Sequence, residues 1–129
     1  MKFEIILKEI SDKDVDKINE NSTLIIPDAV TTIGQGAFWG IYPLTNITIP
    51  NNVTKIEADA FADCLNLYAV TLPENLQELH YTAFRNCKNL ITVFAHKKNF
   101  ENIPNLKEYF EGDPEFMIIK EKQPEEKTK

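Results

Sequence analysis

Apolar residues return along this chain every twenty-three positions. Leu24, Ile47, Val70 and Val93 share one column, and Ile26, Ile49, Leu72 and Ala95 share another. Val30, Val53 and Leu76 form a third, and Ile33, Ile56 and Leu79 a fourth. Ala37, Ala60 and Ala83 precede Phe38, Phe61 and Phe84 at the same step. Ile41, Cys64 and Cys87, then Leu44, Leu67 and Leu90, complete the set. A fixed period of this length marks a repeat architecture, in which one coil cannot bury its apolar face without neighbours.

Each coil opens on a short β pattern, as in Ile47-Thr48-Ile49, with Ile47 and Ile49 inward and Thr48 outward. Pro27, Pro50 and Pro73 follow these runs; proline lacks an amide donor and ends strand pairing there. A second apolar pair comes next, Val53 and Ile56 in the middle coil. Ala60, Phe61, Cys64 and Leu67 then recur at three- and four-residue spacing, which predicts a helical turn or short helix. The alanine is small because this arm passes close to the next coil. The phenylalanines are expected to stack as an internal spine.

The predicted fold is an α/β repeat solenoid, coiling right-handed. Short parallel strands line its concave face, and short helices or turns its convex face. Residues 24–95 hold three full repeats and a final strand. Residues 1–23 read as a degenerate repeat forming an N-terminal cap, with a strand near Lys2–Leu7 and a helix near Asp12–Glu20. After Ala95 the period breaks, because His96 replaces proline and Asn99 and Asn102 replace apolar residues. Residues 96–120 read as a C-terminal cap: a short helix after Pro104 burying Leu106, Tyr109 and Phe110, a turn at Gly112-Asp113-Pro114, and a closing strand at Phe116–Ile119. Residues 121–129 have no apolar residue and read as a disordered tail.

The middle unit, I-T-I-P-N-N-V-T-K-I-E-A-D-A-F-A-D-C-L-N-L, resembles the BspA-like leucine-rich repeat, a 23-residue leucine-rich repeat subtype of bacterial surface antigens. The resemblance covers residues 24–95. It implies a curved solenoid with a parallel sheet on the concave side, and binding to proteins or extracellular matrix as the usual role. Family members are often secreted or surface-anchored.

Composition narrows the function further. The chain has 129 residues, 43% hydrophobic and 26% charged, which suits a soluble globular protein. Net charge is −6 with no basic patch, which disfavours a nucleic-acid partner. No apolar run is long enough for membrane insertion. No signal peptide is visible at MKFEIILKEI. With Met1 as the native start the expected location is cytoplasmic; with a leader removed it is the cell surface or outside.

Candidate chemistry is sparse. Cys64 and Cys87 share an inward column with Ile41 and read as two reduced, buried thiols. His80 and His96 lie on other arms, away from any matching nucleophile. Glu57, Asp59 and Asp63 lack the glycine-rich loops of calcium sites and read as solvated charges. No metal, cofactor or catalytic residue is assigned, and the chain is read as no enzyme. Trp39 and Tyr42 are expected to pack over the N-terminal cap, with a second contact patch as the alternative. Three Asn-x-Thr sequons arise readily in a repeat rich in Asn and Thr and carry no weight.

The residues free to vary lie outward on the sheet. They are Asn46 and Thr92 in one column, with Ile25, Thr48, Thr71 and Phe94 in the other, rimmed by Tyr68. The expected function is a non-catalytic protein–protein interaction module. An unidentified protein would dock on this face, with Phe94 and Tyr68 as anchors because aromatics dominate interface hot spots. The competing account of Phe94 has the C-terminal cap covering it. The alternative function is a structural, self-associating repeat protein forming a weak homodimer.

Overall fold

The computed structural model describes residues 24–120, with Leu24 and Ile25 by backbone alone. Two parallel sheets run along it. Strands β1 (Leu24–Ile25), β3 (Asn46–Thr48), β5 (Ala69–Thr71), β7 (Thr92–Ala95) and β8 (Glu115–Ile118) pair in that order. Strands β2 (Thr32–Ile33), β4 (Lys55–Ile56) and β6 (Glu78–Leu79) form the second sheet. Every pairing in both sheets has a twenty-three-residue register, as in Ile47 with Val70 and Val70 with Val93. The columns of the sequence are therefore rungs of a physical ladder.

The second sheet was not foreseen. Its strands fall on the Val-x-x-Ile pair, where Val53 and Ile56 are buried and Thr54 and Lys55 lie partly exposed. Two residues are too few for a visible alternation, so the sequence shows only the apolar pair.

The arm carrying Ala-Phe is a run of turns, the first of the two forms its spacing allows, and not a short helix. Its backbone donors alternate between three-residue turns, as Trp39 N–H to Gly36 O at 3.1 Å, and the adjoining coil: Phe38 N–H donates to Ala60 O at 2.7 Å, and Phe61 N–H to Ala83 O at 2.7 Å. A helix would consume these donors internally, four residues back. The alanines permit this approach: Ala60 and Ala83 are fully buried. Gly40, Asp63 and Asn86 occupy one column at φ 72°, 59° and 62°. The left-handed turn there selects Gly, Asp and Asn, the residues that enter it at least cost.

The aromatic spine is present. Phe38 and Phe61 stack with centroids 5.1 Å apart, and Phe61 and Phe84 stack at 5.0 Å with planes 3° apart. Such pairs add about 0.5–1.5 kcal/mol beyond area burial. Phe110 continues the stack from Phe84 at 5.0 Å, and Phe116 meets Phe110 edge-on at 5.5 Å.

Beyond Ala95 the structure corrects the sequence reading. The backbone period does not break there: Thr92 pairs with Glu115 and Ala95 with Ile118, again twenty-three residues on. A helix, α1 (Lys97–Asn102), stands where a strand of the small sheet would continue. The helix expected after Pro104 is a single 3-10 turn at Leu106–Tyr109. Leu106 and Phe110 are buried as expected, while Tyr109 is half-buried. Asn99, in the column of Val53 and Leu76, is fully buried. Its Nδ2 donates to Pro73 O at 2.9 Å and its Oδ1 accepts from His96 N–H at 2.8 Å. Asn102 likewise donates to Leu76 O at 3.0 Å. Both asparagines thus tie the last coil to the one before it. The strand and helix expected within residues 1–23, and the tail from residue 121, lie outside the described residues.

Candidate functional site

The outward face of the five-stranded sheet carries the residues selected from sequence. Thr48 is exposed, while Asn46, Thr71 and Thr92 are half-buried. Ile25 is aligned with Thr48 by backbone register. Phe94 is 37% exposed and Tyr68 47% exposed, so the closing segment does not cover Phe94. Phe94 sits opposite Thr71 on one side and Met117 on the other.

Two neighbours extend the patch beyond that selection. Met117 is 44% exposed and Ile91 63% exposed. Ile91 N–H donates to Tyr68 O at 3.0 Å, which sets these two residues on adjacent rungs. The signal for Ile91 was its place one period after Tyr68. Met117 was hidden because the side-chain pattern lapses after Ala95. The face is graded: its early rungs carry Asn46 and Thr48, and its late rungs carry Phe94 and Met117.

The titratable groups are engaged structurally. Cys64 and Cys87 are free and buried. Their Sγ atoms donate to Phe38 O at 3.2 Å and Phe61 O at 3.1 Å. Burial pushes both thiols up to about 12, so both stay protonated. Asp63 accepts from Trp39 Nε1 at 2.8 Å and from Asn86 Nδ2 at 2.8 Å. These two donors, Trp39 first, hold its carboxyl below its ordinary value. Asp59 pairs with Arg85 at 3.3 Å. The acidic residues read as solvated charges therefore have partners in the adjoining coils.

His80 is exposed, stacks on Tyr81 at 4.6 Å, and accepts from Thr82 N–H through Nδ1 at 3.1 Å. Among the described residues no group of three or more His, Cys, Asp or Glu side chains is placed to hold a metal ion. Among them, too, no helix is long and apolar enough to cross a membrane. Two open clefts flank β6, of about 370 Å³ along Lys55–Ala58 and about 390 Å³ against Asn102–Asn105. Neither draws the sheet-face residues together.

Parallel strands stacked at one repeating step define a repeat fold. The profile of the BspA type leucine rich repeat region matches residues 2–111 in six copies. The chain belongs to that family, and the match reaches past both ends of the segment in which the sequence columns are legible. No curated protein sequence matches it. Among solved structures, a leucine rich cell surface protein from Faecalibacterium prausnitzii A2-165 is similar, with 18% identity and a TM-score of 0.44. The match covers 77% of this chain and 32% of that one.

Proposed function

We propose that the chain is a non-catalytic interaction module that holds a protein partner against the outward face of its five-stranded sheet. The observation behind this reading is the exposure, on adjacent rungs, of Phe94 with Met117 and of Tyr68 with Ile91. Clustered exposed apolar residues mark interaction surfaces, and aromatics supply most of the energy there. A hydrogen-bonded ladder beneath them needs little ordering on binding. In this reading the coils wind as a right-handed solenoid with the larger sheet on the concave side. Residues 1–23 and 96–120 close its two ends.

The test is partner capture with wild type and the Phe94→Ala/Tyr68→Ala double variant, folding monitored by circular dichroism. The expected result is loss of the captured partner by a folded variant. Unchanged recovery rejects this face.

A second reading, self-association, has one observation in its favour. The outer edge of β8 is unpaired among the described residues, and Ile118 on it is 52% exposed. An unpaired edge is a template for another strand. Light scattering across a concentration series separates the two readings, and a strict monomer eliminates this one.

A further inference from the structure

The smaller sheet stops at β6, and it stops with acceptors in hand. In each of its earlier rungs two carbonyls accept from the next coil. Thr31 O accepts from Thr54 N–H at 2.9 Å, and Ile33 O from Glu57 N–H at 3.0 Å. One coil on, Thr54 O accepts from Glu78 N–H at 3.0 Å, and Ile56 O from His80 N–H at 3.0 Å. The next acceptors in these two columns are Gln77 O and Leu79 O. The donor due at Leu79 O is Ile103, one period after His80. Helix α1 turns that N–H back to Asn99 O at 2.9 Å instead. Among the described residues no hydrogen bond ends on Gln77 O or Leu79 O.

An open cleft of about 390 Å³ lies at this edge, between β6 and Asn102–Asn105, with Tyr109 along its wall. Its size falls within the ~300–1,000 Å³ of ligand clefts. Every residue lining it is a described one. Asn102 stands in the column of Ile33, Ile56 and Leu79, but its Nδ2 donates to Leu76 O and so does not meet the two open carbonyls. Glu78 is the one formally charged residue of the lining; it is exposed and has no ion-pair partner among the described residues.

The sheet itself shows what complements this edge. Two acceptors two residues apart match the N–H groups of residues i and i+2 of an extended chain, as Glu78 and His80 match Thr54 and Ile56 in the coil before. Strand addition draws affinity from such main-chain bonds and specificity from alternate side chains. A helix uses its N–H groups internally, and an anion would meet only acceptors and a carboxylate. The register sets a side-chain preference as well. Lys55 lies opposite Glu78 across β4 and β6, so a strand added beside β6 places its next residue against an unpaired carboxylate. Opposite charges on neighbouring strands attract, which favours a basic residue there.

We propose that the edge of β6 accepts an extended segment of a partner protein as a fourth, parallel strand of the smaller sheet, with Lys or Arg opposite Glu78. This site is independent of the sheet-face reading.

The experiment is a nuclear magnetic resonance titration of the full chain with the acetylated, amidated peptide Thr-Val-Lys-Val-Thr, carried to millimolar concentration. Saturable shifts are expected at the amides of Leu79, Ile103 and Asn105. Methylating the peptide's Lys amide nitrogen removes the donor to Gln77 O and should weaken binding by about tenfold. Glu78→Lys should weaken it by about fivefold and reverse the preference toward the peptide with Glu in place of Lys. Phe94→Ala/Tyr68→Ala should leave it unchanged. Absence of saturable shifts, or shifts confined to β8 or to the sheet face, overturns the proposal. So does binding indifferent to the methylation or to Glu78→Lys. Overhauser contacts between Leu79 and residues 121–129 in the free chain would make the chain's own tail the occupant and overturn it too.

Discussion

Asp63 shows how a single residue serves the ladder. It takes a left-handed backbone at φ 59° and its carboxylate joins Trp39 in the coil before to Asn86 in the coil after. Because its folded value is depressed, its contribution to stability is present above the unfolded carboxylate range of ~3.9 and is lost as pH falls through the lower folded value. Asp63→Ala should therefore cost stability at neutral pH and flatten the acid side of the stability profile. Urea midpoints measured from neutral to acid pH check this, with a modest effect expected because solvent screens the site. The thiols make the opposite case. Cys64 and Cys87, buried and pushed up to about 12, should resist a thiol-directed disulfide reagent in the native protein and react fully in denaturant. Fast reaction of either thiol in the folded chain would contradict its placement.

Elements here are short because each spans a single side of a coil. The strands of the larger sheet were legible in sequence because a buried residue alternates with outward neighbours, as Val70 does between Ala69 and Thr71. The small sheet was not, since two-residue strands carry no period. The spacing of the Ala-Phe arm leaves turn and short helix open for a physical reason: spacings of three and four also arise when successive turns place every third or fourth side chain inward. Helix α1 was missed because its inward residue is polar. Asn99 meets two backbone groups that a leucine there would leave unpaired. Asn99→Ala should therefore destabilise the chain by ~1–3 kcal/mol, the cost of stranding buried donors and acceptors. Equilibrium denaturation measures it, and an unchanged midpoint would show that the tie between α1 and Pro73 carries no load.

At the scale of the molecule, stability is cooperative between neighbours: the three coils hydrogen-bond to one another through both sheets and the turn arm, and the last segment joins them through the larger sheet and the side chains of Asn99 and Asn102. The candidate sheet face was legible in part. Phe94 and Tyr68 stand out as aromatics on and beside the outward columns, whereas Met117 depends on a register that only the backbone reveals. The sheet face presupposes that successive coils lie in register over one aromatic column. Ring-to-ring nuclear Overhauser effects in the assigned protein test that directly. The Phe61 ring should show contacts to both Phe38 and Phe84, and Phe84 a further contact to Phe110. A Phe61 ring with contacts to neither neighbour, or to one alone, would contradict the stacked register on which the sheet face stands.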